Sequence, residues 1–460
     1  MRARAVVVTL LCLLLTAACS GGSKQSTGNA KTLTFWVAED NAERVKAMQA
    51  IIARFQQQSG ISVKLVAIGE DKLQGEVTTA SAANRLPDVF GALSLGFLHS
   101  LAADELTDPD AAGQVIDALG RETFAKRALD LVTANGKAVA VPSDTWTQLL
   151  VYRKDLFAKA GLAAPTTFDA IKAAAAKLNG NGMAGIVAAT KPGDSFTQQT
   201  FEYFAVANNC QLTDASGNIT LTSAPCVDTF RFYTDLIRNS SVKGGQDADT
   251  TRATYFAGKA AMIIWSSFLL DELAGLRNDA LPTCPQCRSD RQFLAKNSGL
   301  VTAIKGPSGT EPSQFGEVTG FAITKGGNVD AAKRFVQFML SDGYVDWLAF
   351  APEGKFPTRT GTKEQPGQYV KAWQGLKAGV DRKEPLSAIY PPEVIKALAS
   401  TTDTIRRWGF EQGQGKLVGA QLVELPVPKA LSDVLDGRLD PESAAKQAQA
   451  AVQEIAQSIR

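Results

Sequence analysis

Apolar residues recur along this chain in two periods. Across residues 42–58 they fall at Val45, Met48, Ile51, Ile52 and Phe55, the spacing of one helical face, and Gly60 stands where such a helix would stop. The apolar stretches 32–37 and 61–68 on either side read as strands. A second helix is expected over 71–83 and a third strand over 86–93, running into a Ser/Gly loop. Strands and helices alternating at these lengths indicate a parallel sheet with helices on both faces. In such sheets ligands bind at the loops beyond the strands' carboxyl ends, which places 36–41 and 94–97 beside any site.

Further along, 138–142 and 148–152 read as two strands separated by the polar run 143–147, which carries a tryptophan. That arrangement suits a chain passing from one domain to another. A mainly helical domain with short strands is expected over 154–303. Residues 321–323 resume the strand pattern and 329–340 form an amphipathic helix. Beyond Pro357 the chain reads as largely helical, ending in a periodic stretch with Glu442, Ala445, Ala448, Val452 and Ile455 on one face.

The first two dozen residues follow a different rule. Arg2 and Arg4 precede an apolar run over 6–15 and a small-residue stretch over 16–18, the layout of a secretory leader too short to span a bilayer. Cys19 after two alanines resembles a bacterial lipobox, in which the thiol is acylated and becomes the new N-terminus. Thr16 departs from the commonest pattern, with Leu15 one step earlier. The expected layout is a leader over 1–18 and a polar tether over 19–31, with the working protein outside the cytoplasmic membrane and anchored to it.

A chain of 460 residues, 45% hydrophobic and 20% charged, suggests two soluble domains. The most apolar later stretch, 260–270, is far short of the ~20 residues a membrane span requires. Net charge is +2 and falls to zero without Arg2 and Arg4, so no nucleic-acid partner is expected. Four cysteines remain besides Cys12 and Cys19, an even set in an oxidising compartment. Cys210 and Cys226 flank a turn-rich segment with a strand expected at 219–221, and a bridge there would be worth ~3 kcal/mol. Cys284 and Cys287 would close a small loop. A redox role for this CxxC would require a helix opening after a strand, which Pro282 and Pro285 oppose. Zinc would require a second ligand pair, and His99 is the only histidine.

Several fragments together resemble one family. They are 34–36 (TFW), 86–89 (LPDV), 141–144 (VPSD) with 151–157 (VYRKDLF), 256–262 (FAGKAAM) with Trp265, 320–323 (GFAI), and 356–359 (FPTR). In order and spacing they are similar to the extracellular sugar-binding lipoproteins of ATP-driven carbohydrate importers, the relatives of maltose-binding protein. Arg153 replaces the asparagine usual at its place. The resemblance implies an α/β, two-lobed periplasmic-binding-protein fold with a multi-stranded, type II-like hinge. It implies lobes over 32–145 plus 320–357 and over 146–319 plus 358–460, with hinges near 143–150, 316–321 and 355–360. It also implies a carbohydrate ligand, membrane permease subunits as partners, a monomeric working unit, no cofactor or metal, and no chemistry on the ligand.

Sugar recognition draws on aromatic faces for the C–H side of a ring and on carboxylates and amides for its hydroxyls. Candidates by position are Trp36 with Glu39 and Asp40 after the first strand, Asp144 and Trp146 at the first crossing, and Trp265 at a strand end. Glu317 and Thr319 belong to the second crossing, and Trp408 to a Gly-rich loop with Glu411. Each has a plainer reading: Trp36 as core, Glu39 and Asp40 as helix caps. Trp347 and Trp373 follow helical spacing and read as packing residues, and Arg359 reads equally as a family loop residue or a solvated arginine. A secreted glycoside hydrolase would require two carboxylates ~5–9 Å apart across a bond, and no local signature marks such a pair. A phosphorylated polyol such as a glycerol-phosphate diester would require clustered Arg and Lys, whereas the candidates are Trp, Asp and Glu.

Overall fold

The computed structural model describes residues 31–459. The expected leader, Cys19 and all but the last residue of the tether lie outside the described residues.

The strands that organise the fold are β1 (Thr32–Ala38), β2 (Ser62–Ile68), β3 (Val89–Ser94), β4 (Val141–Arg153), β5 (Met262–Ser266), β6 (Ser298–Val301) and β7 (Gln314–Ile323). Two short strands follow, β8 (Phe356–Pro357) and β9 (Ile405–Arg406). Their order is β8-β4-β7-β3-β1-β2, with β9 beside β7 and with β5 and β6 beside β4. β1 runs parallel to β2 and β3, as expected, whereas β7 is antiparallel to β3 and β4, so the sheet is mixed.

The helices used below are α1 (Ala42–Ser59), α2 (Glu70–Ala82), α3 (Leu95–Ala103), α4 (Ser195–Ala207), α5 (Ala224–Ser240), α6 (Val329–Met339), α7 (Gly415–Glu424), α8 (Pro426–Leu435) and α9 (Pro441–Ser458). The local signals in α1 act as read: Met48, Ile51, Ile52 and Phe55 are buried, and Gly60 ends the helix at φ 70°. Successive β1 residues face opposite sides, as a pleated strand requires. Leu33, Phe35 and Val37 join α1 and α6 in one core, while Trp36 and Ala38 pack against the other. None of the described helices is long and apolar enough to cross a membrane.

β4 corrects the two-strand reading of 138–152. It is one strand of 13 residues, unbroken by its polar run. Residues 141–147 pair with β7, and 148–152 pair with β5. β6 adds to the far end of β4 on its other side. The polar residues persist in the strand because they bond across it: Asp144 accepts from Thr319 Oγ1 at 2.5 Å, Trp347 Nε1 at 2.5 Å and Lys355 Nζ at 3.2 Å. Buried polar groups are tolerated on this condition. The resulting strand carries the chain from the part of the sheet around β1–β3 to the part around β5 and β6.

At the end of β3 the register against β7 slips between Phe90 and Leu93. A Cβ on Gly91 would stand 2.7 Å from the Phe35 ring, and Ala92 adopts φ 58°. This irregularity leads directly into α3, where a loop was expected. α3 lies against α7 through glycines. A Cβ on Gly419 would sit 2.2 Å from Ser100 Oγ and 2.5 Å from the Gly96 carbonyl, and one on Gly415 would sit 2.0 Å from His99 Nδ1.

Both disulfides, Cys210–Cys226 and Cys284–Cys287, are formed. The strand expected at 219–221 is absent and only a single bridge joins Thr213 to Ile219. Cys226 lies instead in the first turn of α5, so its bond ties that helix to the segment after α4.

Candidate functional site

A cavity of about 590 Å³ opens beyond the carboxyl end of β3. Leu73, Val77 and Thr78 of α2 form one wall, Phe97, Ser100 and Leu101 of α3 another, and Leu422 and Val423 of α7 a third. Ser195, Gln199 and Glu202 face it from α4, spaced four and three residues apart on one side of that helix. Glu317 of β7 and Arg407, just past β9, complete the lining.

These charged residues form a buried chain. Arg407 donates from Nε to Glu202 Oε1 at 2.9 Å, and its Nη1 lies 2.6 Å from Glu317 Oε2. The Trp408 amide adds a second bond to Glu202 Oε1 at 3.0 Å, and the Leu95 amide of α3 donates to Glu317 Oε1 at 3.0 Å. The guanidinium sits 4.8 Å from the Phe315 ring and 4.9 Å from the Phe410 ring. Burial pushes the Glu202 carboxyl up to about 7, against the pull of Arg407. Arg407 itself is raised: burial opposes its charge, and the two carboxylates outweigh that opposition.

Of the residues proposed from sequence, Glu317 lines this cavity, together with Ser94 and Phe97 from the loop placed beside any site. The others lie elsewhere. Asp144 and Thr319 bond to one another inside the strand crossing. Trp146 is half-buried against Phe315, and Trp36 stands edge-on to Phe90. Trp265 is 8% exposed, with its indole N–H given to the Ala248 carbonyl and Arg252 over its ring. Glu39 holds Arg44 and the Asn41 amide, while Asp40 is exposed. The cap of α1 is neither acid but Asn41, which accepts from the Arg44 amide. Trp408 is a correction: it is fully buried beside Phe201, because the bond from its amide to Glu202 draws the chain inward, and its neighbour Arg407 reaches the cavity instead. Arg359 is also buried, donating to the Leu340 and Leu119 carbonyls at 2.6 Å each.

Ser195, Gln199, Glu202 and Arg407 were missed. The signal for the first three was present, since their spacing puts polar groups on one face of a helix otherwise rich in Phe, Tyr and Ala.

A second group of charges lies near the start of α1. Arg44 reaches Glu39 at 3.2 Å and Glu353 at 3.9 Å, and stands 5.9 Å from the Phe268 ring. Behind it Glu272 pairs with Arg252 at 3.1 Å, and both oxygens of Asp271 lack a partner among the described residues. Burial raises Asp271 to about 6 and Glu272 to about 7, and holds Glu353 well above the usual carboxylate range. Among the described residues no group of three or more His, Cys, Asp or Glu is placed to hold a metal ion.

A mixed sheet spanned by one long strand, with a cavity at its strand ends, defines an α/β protein of the periplasmic-binding type. The pattern of the family described as bacterial extracellular solute-binding protein matches residues 38–346. The chain belongs to that family, whose members bind solutes outside the cytoplasmic membrane and are not enzymes; this removes the glycoside hydrolase alternative. It is 29% identical over 359 residues to a putative ABC transporter periplasmic-binding protein of Escherichia coli K12, YcjN, covering 76% of this chain and 78% of that one. Solved structures show the same fold at low identity. The GacH receptor of Streptomyces glaucescens, determined unliganded and with acarbose, has a TM-score of 0.69 at 19% identity, over 92% of this chain and 98% of that one. A solute-binding protein of Thermotoga lettingae bound with α-D-tagatose has a TM-score of 0.69 at 22% identity, over 92% and 99%.

Proposed function

We propose that this protein is the receptor of an ABC importer, tethered through an acylated Cys19, which captures a carbohydrate and presents it to membrane permease subunits. The carrying observation is the cavity at the strand ends. It is walled by elements from both ends of β4, and hydroxyl, amide and carboxylate groups line it together with the apolar side chains of Leu73, Val77, Phe97 and Leu422. That combination suits a ring with one C–H face and a rim of hydroxyls. Relatives of the same fold bind acarbose and tagatose, and the E. coli relative is described as an ABC transporter component. We read the lobes as 32–145 plus 320–357 and 146–319 plus 358–460, with the crossings of β4, β7 and β8 as the hinge.

A phosphorylated polyol is the second reading, and the lining disfavours it: three carboxylates face the cavity and Arg407 is the one cation among the lining residues. The test is a thermal shift with mono-, di- and trisaccharides and with a glycerol phosphodiester. The proposal expects a shift with sugars and no released product. A shift with the phosphodiester alone would replace the sugar with the second reading.

A further inference from the structure

The cavity's charges do not balance. Asp104, Glu202 and Glu317 line it against Arg407 alone, with no lysine or histidine. One oxygen of Glu317 accepts from the Leu95 amide and the other lies 2.6 Å from Arg407 Nη1 as an ion pair. Glu202 differs. Its Oε1 takes both Arg407 Nε and the Trp408 amide, and its Oε2 receives no hydrogen bond from any described residue. The residue is 1% exposed and lines the cavity, so that oxygen is open to a donor arriving there. Ser195 and Gln199 stand on the same face of α4 and line the same space.

A ligand hydroxyl would fill that acceptor but could not offset the charge of Glu202 once ionised. An ammonium group would do both, since it donates up to three hydrogen bonds and carries the missing charge. Building on the carbohydrate reading above, we infer that the solute carries a protonated amine, as in an amino sugar or an amino-substituted polyol, and that Glu202 is its counter-ion. Asp104, exposed on the rim, adds to the attraction before contact. The carboxyl of free Glu202 sits near neutrality, so an arriving ammonium displaces its proton to solvent.

The experiment compares matched pairs by calorimetry at pH 6.5: glucosamine with glucose, galactosamine with galactose, and the β-1,4 glucosamine dimer with cellobiose. The amine of at least one pair is expected to bind about tenfold tighter or more than its hydroxyl partner. Glu202→Gln should bring that ratio to about one. The ratio is the readout, because a purely structural role would weaken both members alike and leave the ratio standing, which would overturn the assignment to Glu202. Repeating the wild-type titration in two buffers of different ionisation enthalpy provides a second measure without any variant. The amine should release a proton and the neutral sugar should not, and equal proton release would overturn the inference. Neutral sugars that bind while their amines bind no tighter would remove the amine and leave the carbohydrate reading intact. A panel in which no sugar of either kind binds would overturn both.

Discussion

Replacing Arg407 by methionine tests the buried chain under the cavity. The side chain is 1% exposed and lies between Glu202, at 1%, and Glu317, at 3%. Methionine keeps most of the packing against Phe315 and Phe410 but leaves two carboxylates without their cation. Removing one partner of a buried ionic group costs about 3–5 kcal/mol. The loss should depend on pH in a defined direction. With Arg407 present, Glu202 already titrates at about 7; without it, its carboxyl moves higher and is neutral at pH 5.5. At pH 8 Glu202 must be ionised in place or hold its proton at about 1.4 kcal/mol per unit. Urea denaturation at the two pH values should therefore show a large deficit at pH 8 that shrinks at pH 5.5. Replacing both glutamates by glutamine in the Arg407→Met background should recover part of the loss at pH 8. A deficit below about 1 kcal/mol at pH 8, or one of the same size at both values, would refute the reasoning.

Wild-type stability should fall as pH rises from about 4.5 to 7. Glu202 and Glu272, raised to about 7, and Asp271, raised to about 6, hold protons in the folded chain that the unfolded chain has released. Asp247, lowered to about 2, acts in the opposite sense below its ordinary value of 3.8, and His99, which burial lowers from 6.5, offsets part of the fall, so melting curves between pH 5 and 8 read the raised carboxyls net of that one histidine. Changing Cys210 and Cys226 together to serine should cost about 3 kcal/mol, measured by denaturation against the reduced and oxidised wild type. Gly419→Ala should destabilise by about 1–3 kcal/mol because its Cβ meets Ser100 Oγ and the Gly96 carbonyl. Gln199→Ala should weaken solute binding about tenfold with little change in melting temperature, and unchanged affinity would place the ligand elsewhere.

What sequence made legible was what local physics decides. The stripe of α1, its glycine stop and the alternation of β1 are written within 30 residues, and the cysteine pairs follow from an even count and short separations. The polar run in β4 was misread because its partners are remote. Thr319, Trp347 and Lys355 all converge on Asp144 from some 170–210 residues away, and nothing local announces them. Tryptophan misled for a related reason. A large ring that can stack on a sugar also fills a core, and Trp408 does the second while an adjacent arginine reaches the cavity. The helical spacing of Ser195, Gln199 and Glu202 was the better pointer, since a polar face on an apolar helix has no packing explanation.

The glycine contact between α3 and α7 also bears on how a solute arrives. Both helices line the cavity, and at Gly96, Gly415 and Gly419 the side chains of Leu422, His99 and Ser100 from the facing helix fill the space a Cβ would need. Parting them would expose a tightly fitted seam with nothing mobile to refill it, so that edge is a fixed jamb. A solute would then pass other walls, whose polar lining includes Gln74 and Thr78 of α2 and Ser195 and Gln199 of α4. Those four polar side chains share the cavity with the buried Glu202.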